Sequence, residues 1–293
     1  MQRPVIIGEV LFDCLPTGDV LGGAHFNVAW HLKGLGFEPL LIGRIGDDAL
    51  GKIVLDKMHT WNLETRGMQI DHERPTTTTE VTLINGQASY GIPMGKAFDF
   101  IDADAALKAL GDDEISILYF GTLASRHPVS LAALQALLKK NQHGKCFVDL
   151  NLRAPWWNAQ QNAEFLALAD WVKLTDEELT HVCHLKNPAI EDLHKAASQL
   201  QREYKLESVF ITRGEYGAFV VNDKGLFDAH APKVLNLVDT IGAGDTFTAT
   251  AIAGKLLGWS DADIIERACK LAAKVCEQSG AVTLDKSFYQ LIM

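Results

Sequence analysis

Two glycines and an aspartate standing in front of a helical pattern carry the clearest chemical signal in this 293-residue chain. The stretch is Val238-Asp239-Thr240-Ile241-Gly242-Ala243-Gly244-Asp245-Thr246-Phe247, and the spacing of apolar residues that follows is helical as far as Leu257. Without side chains, Gly242 and Gly244 let the backbone turn its N–H groups toward an anion, and the helix dipole adds positive potential at the same point. Asp245, in the first turn, would be held ionised by that dipole and could accept the proton of a hydroxyl. A carboxylate that orients an alcohol beside an anion pocket is equipment for phosphoryl transfer. Its transition state is largely dissociative, and electrostatic stabilisation supplies most of the acceleration. Local physics leaves a second reading open, in which Asp245 merely caps a helix after a glycine turn.

Other stretches invite tests. Gly46-Asp47-Asp48-Ala49-Leu50-Gly51-Lys52-Ile53 comes close to the phosphate loop G-x-x-x-x-G-K-[ST], but Ile53 replaces the hydroxyl that would bind Mg²⁺ and two aspartates would repel phosphates. No G-x-G-x-x-G follows the first strand pattern, which disfavours a Rossmann dehydrogenase. Lys173-Leu174-Thr175-Asp176-Glu177-Glu178 follows a strand pattern and opens a helix. Carboxylates there suit a hydrated Mg²⁺, and they equally suit a bare helix N-terminus. His181-Val182-Cys183-His184 lacks a second Cys or His pair at zinc spacing and reads as helix surface.

These residues need elements to position them. Val5-Ile6-Ile7 before Gly8 reads as a buried strand, and Val28, Ala29, Leu32 and Leu35 recur at helical spacing before Gly36. Further strands are expected over 115–120, 145–150, 171–174 and 208–212, and helices over 128–140, 163–168, 176–183 and 190–204, with two long helices finishing the chain. Such alternation predicts an α/β protein with a parallel sheet covered on both faces and ligands at the carboxyl ends of its strands. Residues 76–90, rich in Thr, Val and Ile around Asn85-Gly86, break the alternation and read as a hairpin. With the extended piece 10–16 they are expected to make a small sheet covering a site. The division that follows is a core of 1–9, 21–66 and 98–293 and a lid of 10–20 and 67–97.

Bulk properties narrow the classes. A net charge of -10 disfavours a nucleic-acid surface, so any phosphate site must be local. No apolar run approaches the about 18 residues of a membrane span. The first eight residues lack a secretory signal, and the five scattered cysteines suggest free thiols; the cytoplasm is the expected compartment.

Asp239-Thr240-Ile241-Gly242-Ala243-Gly244-Asp245 resembles the D-T-x-G-A-G-D signature of the ribokinase-like (PfkB) carbohydrate kinase family. The resemblance implies a three-layer α/β/α sandwich with a small β lid, Asp245 as catalytic base, and the backbone of Gly242, Ala243 and Gly244 as anion hole. Gly22-Gly23-Ala24-His25-Phe26-Asn27 is similar to the family's G-G-x-x-x-N sugar motif, and Asp13, five residues after Gly8, matches the carboxylate that grips sugar hydroxyls. Taken singly, these would be turn glycines and a capping Asn; their joint spacing favours the family reading. The 46–51 stretch resembles the family's structural G-x-D-x-x-G element. Glu178 matches the Glu of its N-x-x-E metal motif, with Thr175 in place of the Asn, and Lys173 lies on the adjoining strand as an expected ATP contact. Thr212, Gly214 and Gly217 look like the T-x-G-x-x-G turn at the nucleotide. The fructokinase branch is similar in three further pieces: 22–29, Asp149-Leu150-Asn151-Leu152-Arg153 with Arg153 near the transferring phosphate, and Ala97-Phe98-Asp99. His25 departs from the Pro usual there. The resemblance therefore implies ATP, Mg²⁺ and a small sugar, fructose first, with 2-keto-3-deoxygluconate, ribose or a nucleoside as alternatives and a non-catalytic sugar or nucleotide sensor as the rival class. It also implies K⁺ at backbone oxygens of Asp239 and Ile241. An exposed edge of the lid offers a place for a second subunit to pair.

Overall fold

In a computed structural model describing residues 2–15, 18–84 and 87–292, the first strand, β1 (Gln2–Ile7), sends Ile6 into one apolar cluster and Val5 and Ile7 into another. Burial on both faces is the mark of a central parallel strand. The chain continues through β2 (Leu11–Leu15), β3 (Gly18–Gly22), α1 (Ala24–Gly34), β4 (Leu40–Gly46), α2 (Ala49–Thr60), β5 (Met68–Asp71), β6 (Thr77–Thr78), β7 (Glu80–Ile84) and β8 (Gln87–Gly91). Next come α3 (Ala103–Leu110), β9 (Glu114–Phe120), α4 (Pro128–Lys140), β10 (Lys145–Asp149), α5 (Ala159–Leu168), β11 (Trp171–Thr175), α6 (Asp176–Val182) and α7 (Ile190–Tyr204). It ends with β12 (Ser208–Thr212), β13 (Ala218–Asn222), β14 (Gly225–Ala229), α8 (Ala243–Leu257) and α9 (Asp261–Val275).

Among the described residues the main sheet runs β14-β13-β12-β11-β10-β9-β1-β4-β5, parallel from β12 to β5, with β13 and β14 antiparallel at one edge. Ile117 and Tyr119 of β9 pack with α1, α2, α8 and α9, whereas Leu118 and Phe120 pack with α3 to α7. Three layers result, an α/β/α arrangement as expected. Connections leave β1 in one direction toward β4 and in the other toward β9. This reversal opens a crevice at the carboxyl ends of β1 and β9, where ligands of such sheets bind.

The strands over 208–212 and helices over 128–140 and 190–204 fall where the sequence places them. The helix expected over 163–168 begins earlier, at Ala159, because the Asn158 side chain accepts the Gln161 N–H and caps it. Helical spacing did not reveal that cap. The antiparallel pair β13–β14 was not foreseen either, because it rests on strand pairing rather than on helical spacing. The expected small sheet is two sheets. β2 pairs antiparallel with β3 and parallel with β6, while β7 and β8 form a separate hairpin whose Asn85-Gly86 turn, like Pro16, lies outside the described residues. The lid boundary at 67 is also corrected: β5 pairs with β4 in the main sheet and buries Met68 in its core, so the cover begins near Thr77. The 46–53 stretch is structural. Asp48 caps α2 through Gly51 N (2.8 Å) and holds Thr76 N (2.7 Å) and Thr76 Oγ1 (2.8 Å).

A buried arginine ties the segment following the hairpin to the core. Arg126 Nε lies 2.7 Å from Asp99 Oδ1, its Nη atoms donate to the carbonyls of Ile92 (2.8 Å) and Pro93 (2.5 Å) just after β8, and its guanidinium lies 4.8 Å and 4.7 Å from the ring centres of Phe98 and Trp156. Both charges are shielded from solvent. Arg126→Ala would strand a buried carboxylate, and breaking such a pair costs about 3–5 kcal/mol. Urea unfolding at pH 7 is expected to show a loss of that size; a loss comparable to that of an exposed ion pair would contradict this reading.

Candidate active site

The end of the main sheet at the β1/β9 crevice gathers residues from distant parts of the chain. α8 begins after Gly242, whose φ of +77° suits glycine and whose added Cβ would sit 2.5 Å from Ala281 Cβ. The first-turn amides of a helix have no partner within it and can donate to an anion beyond its start. One detail differs from the expected row of open amides: the Ala243 N–H turns back to Thr240 O at 3.3 Å.

Asp245 sits in that first turn, and its Oδ2 accepts a 2.7 Å hydrogen bond from Asn27 Nδ2 of α1. The dipole was expected to hold this carboxyl ionised. Instead its pKa is raised: burial dominates, the Asn27 hydrogen bond and the Lys173 charge pull it down, and Asp149 and Glu9 push it up. Desolvation acts on the whole charge, whereas a helix terminus presents only about half a charge.

Asp13, on β2, lies within electrostatic reach of Asp245 and Arg153. Burial raises its pKa, the Arg153 charge lowers it, and Asp245 raises it again, so the two carboxylates sense each other. A Cβ at Gly22 would lie 3.2 Å from Asp13 Oδ2, and one at Gly23, whose φ is +102°, would lie 2.7 Å from Glu9 O. Close backbone approach and a left-handed φ therefore demand glycine at 23, whereas at 22 an added Cβ would only crowd the Asp13 carboxylate. Arg153 is exposed, two residues beyond Asn151, whose φ of +43° turns the chain after β10.

Lys173 is buried on β11, with Nζ 3.2 Å from Asp149 Oδ2 and 3.5 Å from where a Gly244 Cβ would stand. Burial opposes its charge, yet Asp149, Glu178 and Asp245 hold its pKa above the ordinary value. It places a positive charge under the start of α8. Asp149, which also accepts from Thr248 Oγ1 at 3.1 Å, was not among the expected site residues. Its position at the carboxyl end of a central strand was the available signal.

Glu178 is bound at both oxygens: Oε1 accepts from Leu152 N (2.7 Å) and Oε2 from Thr175 N (2.8 Å), with Thr175 Oγ1 accepting the Glu178 N–H in return. This capping box fixes the carboxylate at the crevice and leaves further lone pairs for water. Among the described residues no group of three or more His, Cys, Asp or Glu side chains is placed to hold a metal ion. Asp239 shapes the loop before α8, its carboxylate accepting from Ile241 N (2.9 Å) and Gly280 N (3.0 Å). Thr212 ends β12 in register with Thr175 of β11, and Gly214 and Gly217 take φ of +54° and +93° in the turn to β13.

The donor set suits an alcohol and a phosphorylated ligand held together, and no described helix is long and apolar enough to cross a membrane. Residues 16–287 match the pfkB family of carbohydrate kinases. Among curated relatives, a fructokinase of Klebsiella pneumoniae is 26% identical over 262 residues, covering 85% of this chain and 83% of that protein. Among solved structures, the fructokinase of Vibrio cholerae O395, bound to fructose, ADP and calcium, superposes with a TM-score of 0.80 at 21% identity over 99% of both chains. A putative ribokinase II of E. coli, in complex with ATP and Mg²⁺, gives a TM-score of 0.80 at 18% identity over 100% of this chain and 99% of its own.

A raised carboxyl pKa has a consequence for stability. Because the folded-state pKa of Asp245 exceeds its unfolded value, its ionisation weakens the fold as pH rises through the folded pKa and has no effect below the unfolded one. Asp245→Asn is therefore expected to resist urea better than the parent at pH 8, with the gap closing by pH 4. A variant less stable than the parent at pH 8 would contradict the sign.

Proposed function

The chain belongs to the pfkB family of carbohydrate kinases and is an ATP-dependent sugar kinase, and we propose that it transfers the γ-phosphoryl group of ATP to a hydroxyl of a small sugar, fructose being the first candidate. The observation that carries the reading is the Asn27–Asp245 hydrogen bond, which joins the sugar motif to the helix behind the anion hole.

In the proposed mechanism Asp13 and Asn27 bind sugar hydroxyls over the bare backbone of Gly22 and Gly23. Asp245 orients the acceptor hydroxyl and takes its proton as the new P–O bond forms and the bond to the ADP oxygen breaks. The amides of Gly242 and Gly244, with Lys173 beneath them and Arg153 beyond the end of β10, stabilise the charge on the transferring group, while the Ala243 amide is held by Thr240 O. Thr212, Gly214 and Gly217 line the nucleotide side. We assign the covering role to the three-stranded sheet and the hairpin; closing them excludes water, which would otherwise compete as acceptor.

Mg²⁺ bound with the nucleotide would neutralise phosphate charge, and Glu178 fits as its partner through water, since a hydrated ion held mainly by phosphates asks for only one or two protein carboxylates. Backbone oxygens of Asp239 and Ile241, in the loop that Asp239 ties to Gly280, are the proposed K⁺ contacts.

Fructose is supported by the K. pneumoniae relative and by the fructokinase-like pieces of sequence. A panel of fructose, ribose, 2-keto-3-deoxygluconate and nucleosides with ATP and Mg²⁺, read by ADP release, tests the assignment; sugar binding without any ADP release would favour a sensor. With the accepted sugar, Asp245→Ala should lower kcat by about 10³-fold and leave ATP affinity intact. A variant keeping most of its turnover would remove Asp245 from the chemistry. Activity should also fall as Asp245 is protonated, and Asn27→Ala, which deletes a bond favouring the ionised carboxylate, should move the acidic limb of kcat/KM to higher pH. An unmoved limb would show that another group titrates there.

A further inference from the structure

Beneath the sugar motif lie two ionisable side chains that this mechanism does not use. Glu9 and His25 are each 1% exposed, and His25 Nδ1 stands 2.7 Å from Glu9 Oε2. The contact is close but lacks hydrogen-bond alignment, and His25 Nε2 finds no partner among the described residues. The imidazole lies in the crevice between the ends of β1 and β9. A Cβ on Gly8 would come within 1.9 Å of its Cγ, one on Gly121 within 3.4 Å of its Cε1, and the Tyr119 ring lies 4.9 Å away.

We propose that Glu9 and His25 form a buried ion pair that positions the sugar site, locking the segment that carries Asp13 to the helix turn that carries Asn27. Glu9 lies four residues before Asp13, His25 two before Asn27, and Asn27 holds Asp245. The pair therefore fixes the separation between the carboxylate that grips the sugar and the one that accepts its proton. Two charges removed from water persist only in close mutual contact, so their geometry tolerates little drift. The charged groups around the pair agree. Burial opposes the imidazolium, but Glu9, Asp149 and Asp245 raise its pKa; burial likewise pushes the Glu9 pKa up, yet His25 and, more weakly, Arg153 bring it below the ordinary value. His25 and Glu9 are positioning residues, reached by the sugar only through their neighbours.

The inference rests on the sugar-kinase reading, and the test separates the two. His25→Gln and Glu9→Gln are each expected to raise the KM for the accepted sugar about tenfold or more, the scale of loss that a small misplacement of reacting groups produces, with the KM for ATP unchanged. The double variant should cost no more than the worse single one, because neither charge is then left unpaired. If either single variant misfolds, nitrogen-15 NMR of the parent decides: His25 should carry protons on both ring nitrogens at pH 7.5. A neutral ring, additive losses, or an unchanged sugar KM with activity falling only in step with the folded fraction would overturn the proposal while the kinase reading stands. If the parent turns over none of the sugars, the proposed function fails and this inference with it.

Discussion

A single hydrogen bond, Asn27 Nδ2 to Asp245 Oδ2 at 2.7 Å, closes the site, and it spans 218 residues of sequence. Local structure alone cannot make it. It requires that α1 and α8 pack on the same face of the sheet and start at the same end, which the shared apolar cluster of Phe26, Trp30, Phe247 and Ile252 enforces. The bond also bears on electrostatics: it is the largest of the influences that favour the ionised form of a carboxyl otherwise disfavoured by burial. A base that is hard to ionise in the fold works against stability, and the surrounding core must offset that cost.

The sheet sets where this happens. Parallel strands buried on both faces put their carboxyl ends at one edge, and the reversal at β1 opens the crevice there. Near that edge Glu9, Asp149, Lys173, Glu178 and Asp245 lie within electrostatic reach of one another, an array of mostly negative groups balanced by few positive ones. Lys173 is the central counter-charge, surrounded by Asp149, Glu178 and Asp245. Its burial below Gly244 lets a protein of net charge -10 present positive potential to phosphates at one point.

What the sequence made legible has a physical pattern. Gly242 and Gly23 were readable because their left-handed backbone favours glycine, Gly244 and Gly22 because they complete the same motifs, and Asp245 because it follows them directly. Regular helices such as 190–204 were readable from apolar period. The β13–β14 edge, the early start of α5 and the division of the cover into two sheets were hidden, since each depends on pairing or capping rather than on period. The contacts of Asp149 and the Glu9–His25 pair were hidden for a related reason: charged residues gain meaning here from three-dimensional neighbours. His25 stood out in the sequence only as a departure, and the structure supplies its partner.

The most direct test of the central claim is a crystal structure with the accepted sugar and a non-hydrolysable ATP analogue. The account predicts one sugar hydroxyl within about 2.6–3.2 Å of the Asp245 carboxylate and in line with the γ-phosphorus, with the terminal phosphate against the Gly242 to Gly244 backbone. A sugar bound away from Asp245, or a triphosphate seated apart from the start of α8, would contradict it.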